Sequence, residues 1–161
     1  IGTPLDTGSM LMIAEFDPVH PERLISEPKC LSRPLYGFEN TEHTINNEGP
    51  YAFYYHNKIY LAYSGGDARG YLYAIGMLTA NDGDDLCDLS VWEKAKTPIA
   101  SFATIPGEYG PGHNSFFWDR DQNLWIAYHA VTSFEEKIVS SGMRRVYFEQ
   151  DKTPRFDVIV E

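Results

Sequence analysis

The sequence repeats itself at a spacing of 65 residues, and this repeat limits the folds that the chain can adopt. When the 161-residue chain is shifted by 65 positions, Tyr51 falls on Phe116, and residues 59–63 fall on residues 124–128 without a gap. Each copy holds two short runs of aromatic and aliphatic residues, separated by a polar turn that contains Asn. Such a pair of runs predicts a β-hairpin in each copy.

A third strand and a connector also recur, at a shift of 64 residues. The predicted third strands lie in residues 10–16 and 71–79, and Pro34 and Pro98 occupy equivalent places in the two connectors. Repeated small antiparallel sheets are the signature of a β-propeller, and no segment has a convincing helical pattern. We therefore predict an all-β fold that is part of a propeller; a coincidental match between two aromatic hairpins is the alternative. Strands are also predicted at 143–149 and 158–160, and irregular segments at 18–35, 36–47 and 132–142.

The chain is too short to form a closed propeller. A blade takes about 40–50 residues and a propeller has at least about four blades. The 161 residues offer the tail of one blade and two further blades. Because open blade edges expose unpaired strands, the chain is either a portion of a longer protein or the partner of a second chain. It begins at Ile1 rather than Met, so we expect its natural beginning to be missing.

The composition excludes several classes of partner. The formal net charge is -10, with 13 Lys and Arg against 23 Asp and Glu. Lys and Arg drive binding to polyanions, so a nucleic acid and an acidic membrane surface are both unfavourable partners. No apolar run approaches about 18 residues, so no segment is predicted to span a membrane. Cys30 and Cys87 can pair or can serve as two separate small apolar residues, and two thiols make no disulfide framework.

Glu48 is the first candidate for chemistry. It lies between Asn47 and a Gly-Pro turn, at the entrance of an aromatic strand. Gly49 permits a sharp turn and Pro50 restricts the backbone, so Glu48 is held at a rigid position, as a catalytic acid requires. The repeat places His113 on Glu48, so both are predicted to enter the axial channel from equivalent places in adjacent blades. The alternatives are a surface glutamate and a hydrogen-bonded imidazole in a tight turn.

Other acidic residues are weaker candidates. Asp82, Asp84 and Asp85 suggest a calcium loop, but the downstream glutamate of the EF-hand pattern is missing, and a solvated turn is the better interpretation. Glu39 and Glu42 can form a carboxylate pair with Glu48, although charges in loops are usually solvated. No Ser-His-Asp set, phosphate loop or zinc spacing stands out.

Six motifs in order carry a resemblance to a known family. The motifs are Asn47-Glu48-Gly49-Pro50, residues 60–64, residues 92–94 with Pro98, residues 110–116, residues 128–130 and residues 145–154. With these motifs, residues 10–154 resemble the C-terminal half of the family 43 glycoside hydrolases, five-bladed propeller enzymes that act on arabinose- and xylose-containing polymers. The resemblance implies that residues 1–161 are the C-terminal portion of one catalytic domain, comprising the end of blade 3 and blades 4 and 5. The segment from Pro34 to Glu48 is most similar to arabinofuranosidases.

The resemblance also implies roles for three residues. Glu48 matches the general acid of these inverting enzymes, which protonates the glycosidic oxygen. His113 matches an axial histidine that lies beneath the sugar with a water or a metal ion, which suggests one Ca²⁺ completed by water. Ca²⁺ prefers oxygen ligands, so the contribution of one histidine would be weak. Arg145 matches a recurrent arginine that reaches the sugar or a carboxylate, although a structural ion pair is an equal alternative.

The general base and a second Asp, which orients the acid, belong to earlier blades in the family and are expected to be missing here. The predicted function is inverting hydrolysis of arabinose- or xylose-containing plant cell-wall polysaccharide, with these N-terminal blades as the partner and an extracellular or periplasmic location. The alternative is a non-catalytic fragment, with a carbohydrate-binding or structural role.

Overall fold

A computed structural model describes residues 8–133, 135 and 138–157, and within these residues the fold is all-β, as predicted. Two short 3-10 turns, Gly37–Glu39 and Leu89–Val91, interrupt the strands. The predicted strand at 158–160 lies outside the described residues. The strands are β1 (Leu11–Ile13), β2 (Lys29–Ser32), β3 (Asn40–Thr41), β4 (Thr44–Ile45), β5 (Asn47–Tyr55), β6 (Lys58–Gly65), β7 (Ala74–Asn81), β8 (Glu93–Lys94), β9 (Tyr109–Trp118), β10 (Leu124–Ser133), β11 (Ile138–Arg145), β12 (Tyr147–Phe148) and β13 (Pro154–Arg155).

Two antiparallel sheets form the body of the chain. The four-stranded sheet β5-β6-β7-β8, here called blade 4, is followed in the sequence by the three-stranded sheet β9-β10-β11, here called blade 5. The pair β1-β2 precedes them. This succession of β-meanders is the architecture that the repeat predicts. Among the described residues, no helix has the length and apolar character needed to cross a bilayer.

The hairpin of blade 4 turns through His56 and Asn57, which have φ angles of 45° and 61°. Positive φ at both central residues is the geometry whose twist matches that of the flanking strands, and Asn tolerates it well. In blade 5 the turn spans residues 119–123, where Asp119 accepts hydrogen bonds from the Trp125 indole and from Asn123. These bonds lower the pKa of Asp119 to about 2. Both predicted turns are therefore confirmed.

Several irregular segments of the prediction contain strands. Residues 18–35 include β2, residues 36–47 include β3 and β4, and residues 138–142 belong to β11. The Ser-Ser-Gly sequence within β11 lacks the β-branched and aromatic residues that indicate a strand. This segment is a strand because it pairs with β10. In contrast, the predicted strand at 10–16 is regular only over β1.

The main core lies between blades 4 and 5. Phe53 packs against Phe116 with ring centroids 4.5 Å apart, and both side chains are buried. Because successive strand residues face opposite sides of a sheet, each blade uses one face for this core. The buried members of the core are Phe53, Tyr60, Ala62, Ile75, Met77, Ala100, Ile105, Phe116, Leu124, Ile126, Tyr128, Ala130, Val146 and Phe156.

A second, smaller core lies on the other face of blade 4, where Tyr63 and Leu78 pack with Leu11 of β1. Tyr63 lies opposite Gly76 in the sheet, where an added Cβ would lie 2.3 Å from the Tyr63 ring. The same arrangement recurs in blade 5, because Tyr128 lies opposite Gly142. The repeat therefore extends to the packing of individual side chains.

Both cysteines of the sequence are free thiols. Of the two expected arrangements, a disulfide or two separate residues, the structure has the second. Cys30 Sγ lies 3.8 Å from Met10 Sδ. Cys87 accepts a hydrogen bond from Lys29 Nζ through its backbone carbonyl at 2.7 Å. The Cys30 side chain therefore packs beside the β1-β2 pair, and neither cysteine forms a disulfide.

Candidate active site

Glu48 lies beside an irregularity near the start of β5. It pairs with Ser64 of β6, and the next paired residues are Tyr51 and Ala62. Two residues of β5 therefore lie opposite one residue of β6, which is a β-bulge. Gly49, within this bulge, has a φ of 56°, a conformation that glycine adopts without a Cβ clash. The bulge bends the strand where Glu48 enters it, which agrees with the sharp turn predicted from the Gly-Pro sequence.

An equivalent bulge in β9 contains His113. Gly112 pairs with His129, and Ser115 pairs with Ala127, so His113 and its successor lie together opposite one residue of β10. His113 has a φ of 51°, which is uncommon outside glycine. In strand register, the equivalent of Glu48 is therefore Gly112, and the predicted equivalence with His113 differs by one residue.

A buried tyrosine contacts the Glu48 carboxyl group. The Tyr73 hydroxyl donates a hydrogen bond to Glu48 Oε1 at 2.7 Å. Glu48 is half-buried, whereas Tyr73 has no exposed surface. Burial raises the pKa of Tyr73, the hydrogen bond to Glu48 raises it further, and a hydrogen bond with Ser64 acts in the opposite direction. Tyr73 therefore stays protonated and acts as a donor to Glu48 at neutral pH.

Two histidines of blade 5 complete this group. His113 and His129 lie with ring centroids 6.4 Å apart, and His129 stacks on Tyr73 at 5.5 Å. Burial lowers the pKa of His129 and the nearby His113 lowers it further, whereas a hydrogen bond with the Ala68 backbone and the charge of Glu48 raise it. The net direction is downward, so the half-buried His129 favours the neutral form. The exposed His113 is the more accessible of the two imidazoles.

The residue before Glu48 is anchored by a buried carboxylate. Glu39 has no exposed surface, and its Oε1 accepts hydrogen bonds from Asn47 Nδ2 at 2.9 Å and from the Tyr63 hydroxyl at 2.7 Å. Lys94 Nζ lies 2.5 Å from the same oxygen. The backbone N–H groups of residues 35–36 donate to Oε2, both at 2.7 Å. Five donors thus satisfy both oxygens.

This network differs from the predicted role of Glu39 as a solvated loop residue or as part of a carboxylate pair. Ser32 donates from its hydroxyl to Asn47 Oδ1 at 2.7 Å, so β2 also contributes to the network. Burial alone would raise the pKa of Glu39, but the hydrogen bonds from Lys94, the Tyr36 backbone and Tyr63 outweigh it and lower the pKa. Glu39 is therefore an ionised structural residue that holds the start of β5.

Arg145 lies away from this group of residues. It pairs with Trp125 in the sheet, and its exposed guanidinium lies 5.1 Å from the centre of the Tyr147 ring. Trp125 pairs in turn with Phe117, four residues along β9 from His113, which corresponds to about 13 Å of strand. The structure does not bring Arg145 to Glu48, and its contact with a sugar stays a prediction.

His113 by itself gives the predicted calcium ion few protein ligands. Ca²⁺ takes about six to eight oxygen ligands, and His113 offers one imidazole nitrogen. Among the described residues, the one group of three candidate ligand side chains within 4.8 Å of one another is Glu15, Asp85 and Cys87, which does not include His113. The predicted calcium ion therefore stays untested. For the acidic turn at 82–85, the predicted alternative to a calcium loop is a solvated turn. Its hydrogen bonds agree with that alternative, because Asp85 Oδ1 accepts from the backbone N–H of Cys87 in the same loop.

The chain belongs to glycosyl hydrolase family 43, because the model of this family, described as "Glycosyl hydrolases family 43", matches residues 7–154. It is 29% identical to the extracellular exo-α-(1→5)-L-arabinofuranosidase of Streptomyces avermitilis, over 96% of this chain and 33% of that protein. It is 34% identical to the protein of the same name from Streptomyces chartreusis, over 78% of this chain and 37% of that protein.

A solved structure confirms the fold. The crystal structure of the α-L-arabinofuranosidase from Lactobacillus brevis matches with a TM-score of 0.80 and 29% identity, over 91% of this chain and 46% of that chain. The predicted partial five-bladed propeller is thereby confirmed. The chain spans about a third of the length of the curated relatives and about half of the solved one.

Sequence reasoning missed three members of the candidate site. Ser64 and His129 lie inside motifs that carry the family resemblance, but neither was a candidate for a role. Tyr73 lies in a segment of the predicted third strand whose apolar sequence gives no sign of a polar contact. Its role depends on the path of the loop before β7, which brings the hydroxyl back to Glu48.

Proposed function

We propose that this chain carries the general acid of an inverting glycoside hydrolase that removes arabinofuranosyl or xylosyl units from plant cell-wall polysaccharide. The observation that carries the proposal is the position of the Glu48 carboxyl group. It lies at a bulge of the first strand of blade 4, half-buried and hydrogen-bonded to Tyr73 through one oxygen. The names of the relatives, which are extracellular arabinofuranosidases, favour an arabinofuranosyl substrate and an extracellular location.

In the proposed reaction, the neutral carboxyl of Glu48 gives its proton to the glycosidic oxygen as the bond to the anomeric carbon breaks. A water molecule adds to the opposite face of the sugar, and a carboxylate base takes the proton of that water. Inverting enzymes hold the two carboxyl groups about 6.5–9.5 Å apart, which leaves room for the water. We propose that the base, and the Asp that orients Glu48, come from blades that precede β1 in a complete propeller.

On this proposal, residues 1–161 are the C-terminal portion of one catalytic domain, and the N-terminal blades are its partner. The relatives support this arrangement, because the chain spans 33% of one and 46% of another. His113 and His129 lie beside Glu48 and are proposed to line the floor beneath the sugar. A calcium ion at His113, completed by water, stays a proposal, and no step of the proposed reaction depends on it.

The test compares Glu48→Gln with the unchanged full-length protein on two kinds of substrate. An aryl arabinofuranoside or xyloside with a good leaving group needs little protonation, whereas an arabino- or xylo-oligosaccharide needs a general acid. Loss of a general acid costs about 10²- to 10⁴-fold, so Glu48→Gln should lower kcat on the oligosaccharide by that factor and much less on the aryl glycoside. Glu93→Gln, at an exposed position of β8, is the matched control.

Equal activity of Glu48→Gln and the unchanged protein on oligosaccharide would contradict the acid role. Residues 1–161 alone are expected to hydrolyse neither substrate, because they lack the proposed base. Turnover by this isolated chain would show that the base lies within it. A full-length protein that binds these oligosaccharides without hydrolysing them would support the alternative function of a non-catalytic carbohydrate-binding protein.

A further inference from the structure

We propose that Tyr73 is a positioning residue that decides which oxygen of Glu48 carries the proton for the leaving group. This inference rests on the proposed function, in which Glu48 is the general acid. The Tyr73 hydroxyl donates to Oε1, so the transferable proton belongs on Oε2. Tyr73 itself touches neither the substrate nor the transferred proton and acts through Glu48.

The direction of the hydrogen bond follows from the acceptor strengths of a neutral carboxyl group. Such a group has a carbonyl oxygen, which accepts well, and a hydroxyl oxygen, which donates its proton. Because the Tyr73 hydroxyl is 2.7 Å from Oε1, the favoured form has its carbonyl at Oε1 and its proton at Oε2. Without Tyr73, the proton could reside on either oxygen, whereas the proposal requires it on Oε2, the oxygen assigned to the leaving group.

The same bond becomes stronger as the proton leaves. When Glu48 Oε2 gives its proton to the glycosidic oxygen, Glu48 becomes a carboxylate, and the bond from Tyr73 becomes charge-assisted and roughly twice as strong. Tyr73 keeps its own proton, in agreement with a pKa that burial raises above the ordinary value for tyrosine. An interaction that strengthens along the reaction stabilises the transition state more than the bound substrate.

Blade 5 holds the Tyr73 ring in place. An added Cβ at Gly112 would lie 2.0 Å from Tyr73 Cε1, so β9 presses its backbone directly against the ring. His129 stacks on the ring with an interplanar angle of 8°. Ser64 hydrogen-bonds Tyr73 and accepts from the His113 backbone N–H at 2.7 Å. Contacts from two blades therefore fix the direction from which the hydroxyl approaches Glu48.

The experiment measures Tyr73→Phe in the full-length protein, on a series of aryl arabinofuranosides with different leaving groups and on an arabino-oligosaccharide. Loss of one hydrogen bond to a charged group should lower kcat on the oligosaccharide about 10- to 100-fold. Rates on the best aryl leaving group should stay within about threefold, because that step needs little acid assistance. The dependence of the rate on the leaving group should therefore become steeper in Tyr73→Phe.

Tyr128→Phe is the matched control. Tyr128 is similarly buried, and its hydroxyl donates to Glu108 Oε2 at 2.6 Å, so the change removes a similar bond between a tyrosine and a glutamate. It also removes the bond that the hydroxyl accepts from Arg144 Nε at 2.7 Å. This control should lower the melting temperature without changing the leaving-group dependence. 3-Fluorotyrosine in place of Tyr73 keeps the packing and makes the hydroxyl more acidic. It should make the leaving-group dependence shallower, opposite to the change expected of Tyr73→Phe.

Three results would overturn the inference. If Glu48→Gln is selective for the oligosaccharide but Tyr73→Phe changes nothing, the proposed function stands and the role of Tyr73 fails. A loss in Tyr73→Phe that is equal on all substrates would show a structural role only. If Glu48→Gln itself is not selective, the proposed function fails and the role of Tyr73 fails with it.

Discussion

The backbone N–H of His113 donates a hydrogen bond to Ser64 Oγ at 2.7 Å, across the boundary between the two blades. Ser64 is also the residue that pairs with Glu48 in the sheet of blade 4. The bulge at His113 in blade 5 is therefore hydrogen-bonded to Ser64, the residue that pairs with the candidate acid Glu48 in blade 4. The geometry around Glu48 depends on the contact between the blades, so changes in the core between them should reach the site.

Phe116→Ala should destabilise the full-length protein by about 3–5 kcal/mol. The Phe116 ring lies 4.5 Å from that of Phe53 and 6.1 Å from that of Phe156, so its removal leaves a cavity between the blades. Urea unfolding measures the change in the free energy of unfolding. Phe102→Ala is the matched control, because Phe102 is exposed on the connector between β8 and β9 and should cost much less. Equal losses in the two variants would contradict a core between the blades at Phe116.

The 65-residue repeat correctly predicts the two hairpins, but not the register of their first strands. Four residues separate the paired residues Tyr54 and Ile59, whereas five separate Trp118 and Leu124. The second turn is thus one residue longer, and an alignment without gaps cannot show this. The extra residue shifts β9 by one position, which is why Gly112 and not His113 matches Glu48 in register.

The polar contacts of the candidate site are less predictable than its position. Glu39 lies in a stretch rich in polar residues, and such a stretch normally indicates solvent exposure. Its burial depends on Lys94, which is 55 positions further along the chain and is brought close by β8. Patterns of neighbouring residues contain no information on such pairs, which the complete fold creates.

A double-mutant cycle of Glu39 and Lys94 tests the buried ion pair beneath Asn47. Glu39→Gln should cost about 3–5 kcal/mol of stability, because it leaves the Lys94 ammonium buried without its charged partner. Lys94 Nζ would keep two uncharged acceptors, the Arg33 carbonyl at 2.7 Å and Asn47 Oδ1 at 3.4 Å. The double variant Glu39→Gln/Lys94→Met should lose less stability than the sum of the losses in the two single variants. Additive losses, measured by urea unfolding, would show that the two side chains do not interact.

The stability of the protein should fall in acid because of Glu39. Its pKa is lowered in the folded state, since its hydrogen bonds outweigh burial, so folding favours the ionised form. The stabilisation is complete above the ordinary glutamate pKa of 4.5 and is lost as the pH falls through the lower folded value. Unfolding free energies between about pH 3 and pH 7 should therefore decline below about pH 4.5 in the unchanged protein. Glu39→Gln should show a smaller decline, and an identical acid limb in both proteins would exclude Glu39 as its source.

Gly112→Ala should disturb the site without changing any of its polar groups. The new Cβ would lie 2.0 Å from Tyr73 Cε1, so the ring must move, and overpacking of this kind costs about 1–3 kcal/mol. Movement of the ring withdraws the hydroxyl from Glu48 Oε1, so turnover of an oligosaccharide should fall more than turnover of an aryl glycoside. Gly37→Ala is the matched control, since an added Cβ there meets no atom within 4 Å. A lower melting temperature with an unchanged ratio of the two activities would mean that the Tyr73 hydroxyl keeps its contact when the ring shifts.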